Sequence, residues 1–185
     1  QDDSDWFELA RVAFDEAFPV LQLPDSELVS LSVTYLPLSQ IGSTDKVAVE
    51  FRQVVRGVPV VQGSAHALFT TNGDLLALDH GGIPGGSALN TRPLLGPWEA
   101  AAAARRQFES TLGREALDLG EPRLVIVRQR LADSVAGRLA WAIEIRNESD
   151  PLAPAGRRIY VAADTLNLEI VAEDELIHRD QISGH

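Results

Sequence analysis

The sequence predicts an α+β protein of two small lobes, each a helix laid across a curled antiparallel sheet. Three observations predict it. The chain opens on apolar residues at helical spacing and then switches to two-residue alternation. A Gly- and Pro-rich stretch at residues 81–97 interrupts it, and beyond that stretch the order of helix then strands is repeated. The composition is ordinary for a globular chain: 185 residues, 45% hydrophobic and 23% charged, which excludes a disordered or collagen-like protein and allows one domain or two small ones.

In the first half, Ser4 is placed to cap a helix, with Asp5 and Glu8 at the positive end of its dipole. Phe7, Ala10, Phe14, Ala17 and Phe18 form one apolar stripe, and Pro19 is expected to stop the helix. Residues 28–36 are β-branched and apolar enough for a strand that Pro37 closes. The alternation is cleanest in 47–55. Val47, Val49, Phe51, Gln53 and Val55 share one face; Ala48, Glu50, Arg52, Val54 and Arg56 share the other. Gly57 breaks the run and Pro59 limits pairing, which predicts a bend or sheet edge. A second long strand is expected over 60–70, then a two-residue turn at Asn72-Gly73 and a partner strand over 75–78.

In the second half, Pro97 suits the first turn of a helix with Trp98, Ala101, Ala102, Phe108 and Leu112 on one face and Gly113 at its end. Strands are expected over 123–130, 139–146, 157–163 and 168–171. In the second of these, Leu139, Trp141, Ile143 and Ile145 face inward and Ala140, Ala142, Glu144 and Arg146 outward.

The run from Val49 to Gly63 carries the strongest family signal. Gln53, Gly57, Val58, Pro59, Val60 and Gly63, followed by Asn72-Gly73-Asp74, resemble the Gln-x-x-x-Gly-Val-Pro-Val pattern of the N-terminal propeptide domain of fungalysin- and thermolysin-type secreted zinc proteases. Val55 stands where that family often has an aromatic. Residues 98–172 resemble the PepSY domain that follows in such propeptides, on an Ala-rich helix, the Leu139-Ala140-Trp141 strand and a final hairpin. Its usual Asp-x-x-Thr-Gly turn is present only as Asp164-Thr165-Leu166-Asn167. The resemblance implies two cystatin-like lobes: a propeptide domain over 1–88, a linker over 89–97, a PepSY-like domain over 98–172, and a tail over 173–185 leading to the protease cleft or the maturation site. It implies a non-catalytic pro-region that assists folding of a metalloprotease catalytic domain and inhibits it, in cis or in trans. The alternative is a free-standing exported binding module or inhibitor acting on a separate partner. Zinc, alone or with calcium, is implied only for the partner protease. Secretion or periplasmic export follows from the same resemblance.

Composition narrows the alternatives. With 27 acidic residues against 16 basic, the net charge of −11 argues against nucleic acid as a partner. No apolar run approaches the ~18 residues of a membrane span, so no membrane role is expected. Absent cysteine removes disulfides, zinc-thiolate sites and thiol nucleophiles. Absent methionine and the opening Gln-Asp-Asp-Ser-Asp fit an exported protein after signal-peptide loss, or an excised fragment. No His-Glu-x-x-His occurs, which argues against this segment being the protease itself, and no catalytic, metal or cofactor residue is assigned. His66, His80, His178 and His185 are scattered. His178 with Asp180, and Ser183 nearby, are candidates for a tail entering the cleft or cleavage site; a solvated tail is the simpler expectation. Glu173-Asp174-Glu175 reads as a solvated acidic face rather than a calcium loop. The glycines at 81–86 lack a phosphate-loop pattern and read as linker. Trp98 and Trp141 are expected in the core. Gln53 is expected to satisfy backbone groups at the strand bend, and Gly57 to supply a conformation other residues resist. Asn147-Glu148-Ser149 is a glycosylation sequon, relevant only in a eukaryotic secretory host.

Overall fold

The computed structural model describes residues 2–132, 134–147 and 155–176, among which there are two helices and nine strands, an α+β architecture. The chain divides into two compact units, Gln1–Thr91 with Arg128–Gly137, and Arg92–Val127 with Arg138–His185. The break therefore falls at residue 91, and the first unit is not one continuous segment.

In the first unit, α1 (Asp3–Leu21) is capped by Asp2 rather than Ser4. The Asp2 carboxylate accepts from the Asp5 N–H at 3.1 Å, and the Asp5 carboxylate accepts from the Asp2 N–H at 3.2 Å. This reciprocal box satisfies two donors that a helix start otherwise leaves open. Pro19 does not stop the helix. It removes one donor near the end, and helical geometry continues to Leu21, where Gln22 turns left-handed at φ 53° and donates to the Phe18 carbonyl. The buried face is Trp6, Ala10, Ala13 and Phe14, so the expected stripe is rotated, and Phe18 is 44% exposed. Trp6 meets Phe69 at 5.7 Å between ring centroids, and this bulk decides which of two overlapping periodicities is buried.

The helix packs on β1 (Leu28–Leu36), β2 (Lys46–Val55), β3 (Val58–Thr70) and β4 (Leu75–His80), paired antiparallel in that order. Val47, Val49, Phe51, Ala65, Ala67 and Phe69 form its floor. Phe51 makes edge-to-face contacts with Phe7 and Phe14, at 5.6 and 5.8 Å between ring centroids. The Arg11 guanidinium lies 5.2 Å over the same ring and donates to the Leu28 carbonyl at 2.9 Å. Gly57 does break the run, as a tight reversal between two strands, but Pro59 does not limit pairing, since it lies opposite Val54. Arg56 and Gly57 take φ 49° and 84°, making a two-residue hairpin turn closed by Val55 opposite Val58, and β3 runs on through Pro59. At the other hairpin only Gly73 is left-handed, at φ 95°. The Gly73 N–H donates to the Thr70 carbonyl and the Thr70 N–H to the Asp74 carbonyl, so this loop has three residues rather than two.

In the second unit, α2 (Pro97–Leu112) starts on Pro97 and ends on Gly113 at φ 63°. It buries Ala100, Ala101, Ala103, Ala104 and Phe108. Trp98 is 73% exposed, contrary to the core placement expected of it, and Ala102 is exposed too. A run of alanines carries no bulk to fix which side faces inward. The strands are β5 (Asp118–Leu119), β6 (Arg123–Arg130), β7 (Val135–Asn147), β8 (Ala155–Ala162) and β9 (Ile170–Glu175). β7 pairs antiparallel with β5 and β8, and β8 with β9. Ile143, Ile145, Ile159 and Val161 meet the helix. Trp141 is half-buried, its indole N–H donating to the Leu95 carbonyl at 2.8 Å. Ala140 and Ala142, expected outward, are buried: alternation sets which residues share a face, not whether the second face is covered. The last strand begins at Ile170 and continues through the acidic run, so residues 173–175 are strand rather than tail.

Candidate functional site

The family-motif residues lie together on the β2–β3 hairpin, and one side chain organises them. Arg52 faces Ser64 and Val54 faces Pro59, so a single residue of β2, Gln53, opposes the four residues 60–63 of β3. This wide bulge would leave backbone groups of a neighbouring segment unpaired, and Gln53 answers them. Fully buried, its Nε2 donates to the Ile83 carbonyl at 2.9 Å and to Glu27 Oε2 at 2.7 Å, while its Oε1 accepts from the Ile83 N–H at 2.8 Å. An amide side chain thereby takes both backbone groups of a residue 30 positions away, as a strand neighbour would.

Gly81, Gly82 and Gly86 are packed into this arrangement and are not a linker, while Gly85 takes a left-handed φ of 64° with nothing within 4 Å. A Cβ on Gly81 would come within 2.5 Å of the Gln62 carbonyl oxygen, and one on Gly82 within 2.5 Å of Gln53 Oε1. On Gly86 it would meet Glu27 Oε2 and Val55 Cγ2, each at 2.7 Å. These distances lie below van der Waals contact, so hydrogen at that position is what lets the segment close over the clasp. Gly63 is required by crowding inside the bulge, where a Cβ would be 2.6 Å from Val60 Cβ. Gly57 is different: nothing lies within 4 Å, and its need is the left-handed φ of 84°. Val58 and Val60 are buried beside it and Pro59 is half-buried. Arg56, strained at φ 49°, is held by its guanidinium donating to the Ser87 carbonyl at 2.8 Å.

The remaining sequence candidates separate. Glu173, Asp174 and Glu175 each have a partner within the second unit. Glu173 accepts from Gln107 Nε2 at 2.7 Å, Asp174 from the Tyr160 hydroxyl at 2.6 Å, and Glu175 pairs with Arg157 at 3.2 Å. Burial, with Asp174 adding to it, pushes the Tyr160 phenol up to about 12. On the same sheet, Arg158 donates twice to Glu144 Oε1, at 2.6 and 3.1 Å, and holds that carboxyl below its usual range. Arg138 donates to both oxygens of Glu169, at 2.7 and 2.6 Å, and lowers Glu169 likewise. His66 bonds Asp79 at 2.7 Å. Asn147 is only 5% exposed and donates to the Glu115 carbonyl at 2.7 Å, so the sequon's acceptor amide is occupied in the folded chain. His178, Asp180 and Ser183 lie outside the described residues. Among the described residues no group of three or more His, Cys, Asp or Glu is placed to hold a metal ion, and no helix is long and apolar enough to cross a membrane.

Two participants had no sequence signal. Glu27 looks like any polar residue before a strand, yet it is 6% exposed and receives Gln53. The close approach of Gly81, Gly82 and Gly86 is likewise a three-dimensional fact that composition alone turns into flexibility. No protein-family model matches this chain, and no curated protein matches it in sequence.

Proposed function

We propose that the chain is the non-catalytic pro-region of a secreted or periplasmic zinc metalloprotease, built of two cystatin-like lobes, which assists folding of the catalytic domain and inhibits it before cleavage. The observation that supports this most is the β2–β3 hairpin. Gln53, Gly57, Val58, Pro59, Val60 and Gly63 match the propeptide motif; Gln53, Gly57 and Gly63 each have a definite structural task there, and Val58 and Val60 are buried. Such a motif specifies a rigid docking scaffold, not a reaction. A rigid surface complementary to the folded enzyme stabilises that state by differential affinity alone, which is all that assisted folding requires. Inhibition then needs an extended segment across the cleft. Since residues 173–175 belong to β9, that segment begins beyond Leu176, with His178, Asp180 and Ser183. The zinc in this reading is the partner's.

The test adds the purified chain to its proposed partner, a mature thermolysin-type protease, and follows both residual activity and refolding yield. Loss of activity and a raised yield at micromolar chain are expected. No effect on either at that concentration overturns the proposal.

A further inference from the structure

A cleft of about 450 Å³ opens in the first unit where α1 ends. That volume falls in the range of small-ligand sites, roughly 300–1,000 Å³. Val20, Leu21, Pro84 and Val135 give it apolar walls, and Gln22, His80, Arg128 and Ser134 its polar groups. Among the described residues no Asp or Glu lines it, in a chain that carries 27 acidic residues and a net charge of −11; Asp133, next to Ser134, lies outside the described residues. Arg128 is exposed and forms no salt bridge among the described residues. His80 Nδ1 is buried with no hydrogen-bond partner among the described residues, so a proton there would be unsatisfied, which favours the N–H on Nε2. Burial, with Arg128 adding to it and Asp79 opposing, holds the imidazole below its ordinary value and so neutral. The described polar groups of the cleft can thus all donate hydrogen bonds, with one fixed positive charge among them.

We infer that this cleft binds a carboxylate carried on an aliphatic group, as at an apolar-flanked acidic residue or chain terminus of a peptide. Donors with a single cation match a single negative charge. A phosphate would bring a second charge into a chain that is already acidic and has no second arginine among the described residues of this cleft. The apolar walls select an aliphatic neighbour over a bare ion. The inference stands on the cleft alone and holds whether or not the chain is a pro-region.

The experiment is an NMR titration of the isotope-labelled full chain with N-acetyl-leucine, N-acetyl-leucinamide, acetyl-Leu-Glu-amide and inorganic phosphate. At least one of the two carboxylate probes should shift the Gly82 and Val135 amides saturably, and which one does so tells a terminal from a side-chain carboxylate. N-acetyl-leucinamide should leave those amides in place. Arg128→Gln should weaken binding at least about tenfold, with Arg128→Lys intermediate. The inference is overturned if the amide probe binds as well as the acids, if phosphate binds more tightly, or if no probe saturates by ~10 mM. Unchanged binding to Arg128→Gln overturns it as well. The acid-against-amide comparison uses the unaltered chain and so does not depend on a variant's folding.

Discussion

In the first unit the core is aromatic, with Trp6, Phe14, Phe51 and Phe69 between helix and sheet, and the Gln53 amide is sealed inside the unit. In the second unit the core is aliphatic, four alanines of α2 against Ile143, Ile145, Ile159 and Val161, and strong polar contacts lie at its rim. Both are one helix on antiparallel strands. They differ in where polar chemistry is kept, and that difference sets what each can tolerate. A buried amide with its hydrogen bonds made fixes one arrangement of the segments around it, because every alternative strands a polar group. Rim ion pairs hold register locally but compete with water and salt, so each contributes little.

The sharpest way to break the comparison is Gln53→Ala. It leaves Ile83 with two unpaired backbone groups and Glu27 with no donor, and should cost ~2–4 kcal/mol. Site-resolved hydrogen exchange should show the loss across β2 and β3 with α2 still protected; equal loss in both units would refute separate stabilisation. A smaller effect is expected at Tyr160, where the folded state favours the neutral phenol. Its contribution is complete below pH 10, the ordinary tyrosine value, and fades as pH rises towards about 12. Tyr160→Phe should abolish that alkaline loss and cost ~1 kcal/mol at neutral pH, both read from urea denaturation across pH. The smallest effect should come from Trp98→Ala. An indole 73% exposed on α2 should change stability by less than ~0.5 kcal/mol, and a larger change in the melting curve would put Trp98 back in the core.

The sequence was most legible where one residue type dominates a run. β1 and β6 occupy the residues their β-branched and apolar patterns predict, and the inward face of β2 is the alternation itself. Gln53 was visible as a polar residue on an apolar face, and Gly57 as a position needing unusual backbone. What they bind was not, because Glu27 and Ile83 lie 26 and 30 residues from Gln53 and no local periodicity reports such a distance. The glycines at 81–86 misled for a related reason: absent side chains signal freedom in sequence but close approach in space. On α2 and β7 small residues hid the geometry, since alanine fits a buried or an exposed position equally well.

Residues 128–137 complete the first unit, although the chain reaches them only after α2 and most of β6. On a ribosome the chain emerges from its N-terminus, so the first unit waits for its final piece. At about 5–20 residues per second, the interval between residues 91 and 137 is roughly 2–9 s. The helix of the second unit, residues 97–112, emerges within that interval, before the piece that completes the first unit. The same routing means that a cut after Thr91 releases a first unit without that piece, whichever protease makes it.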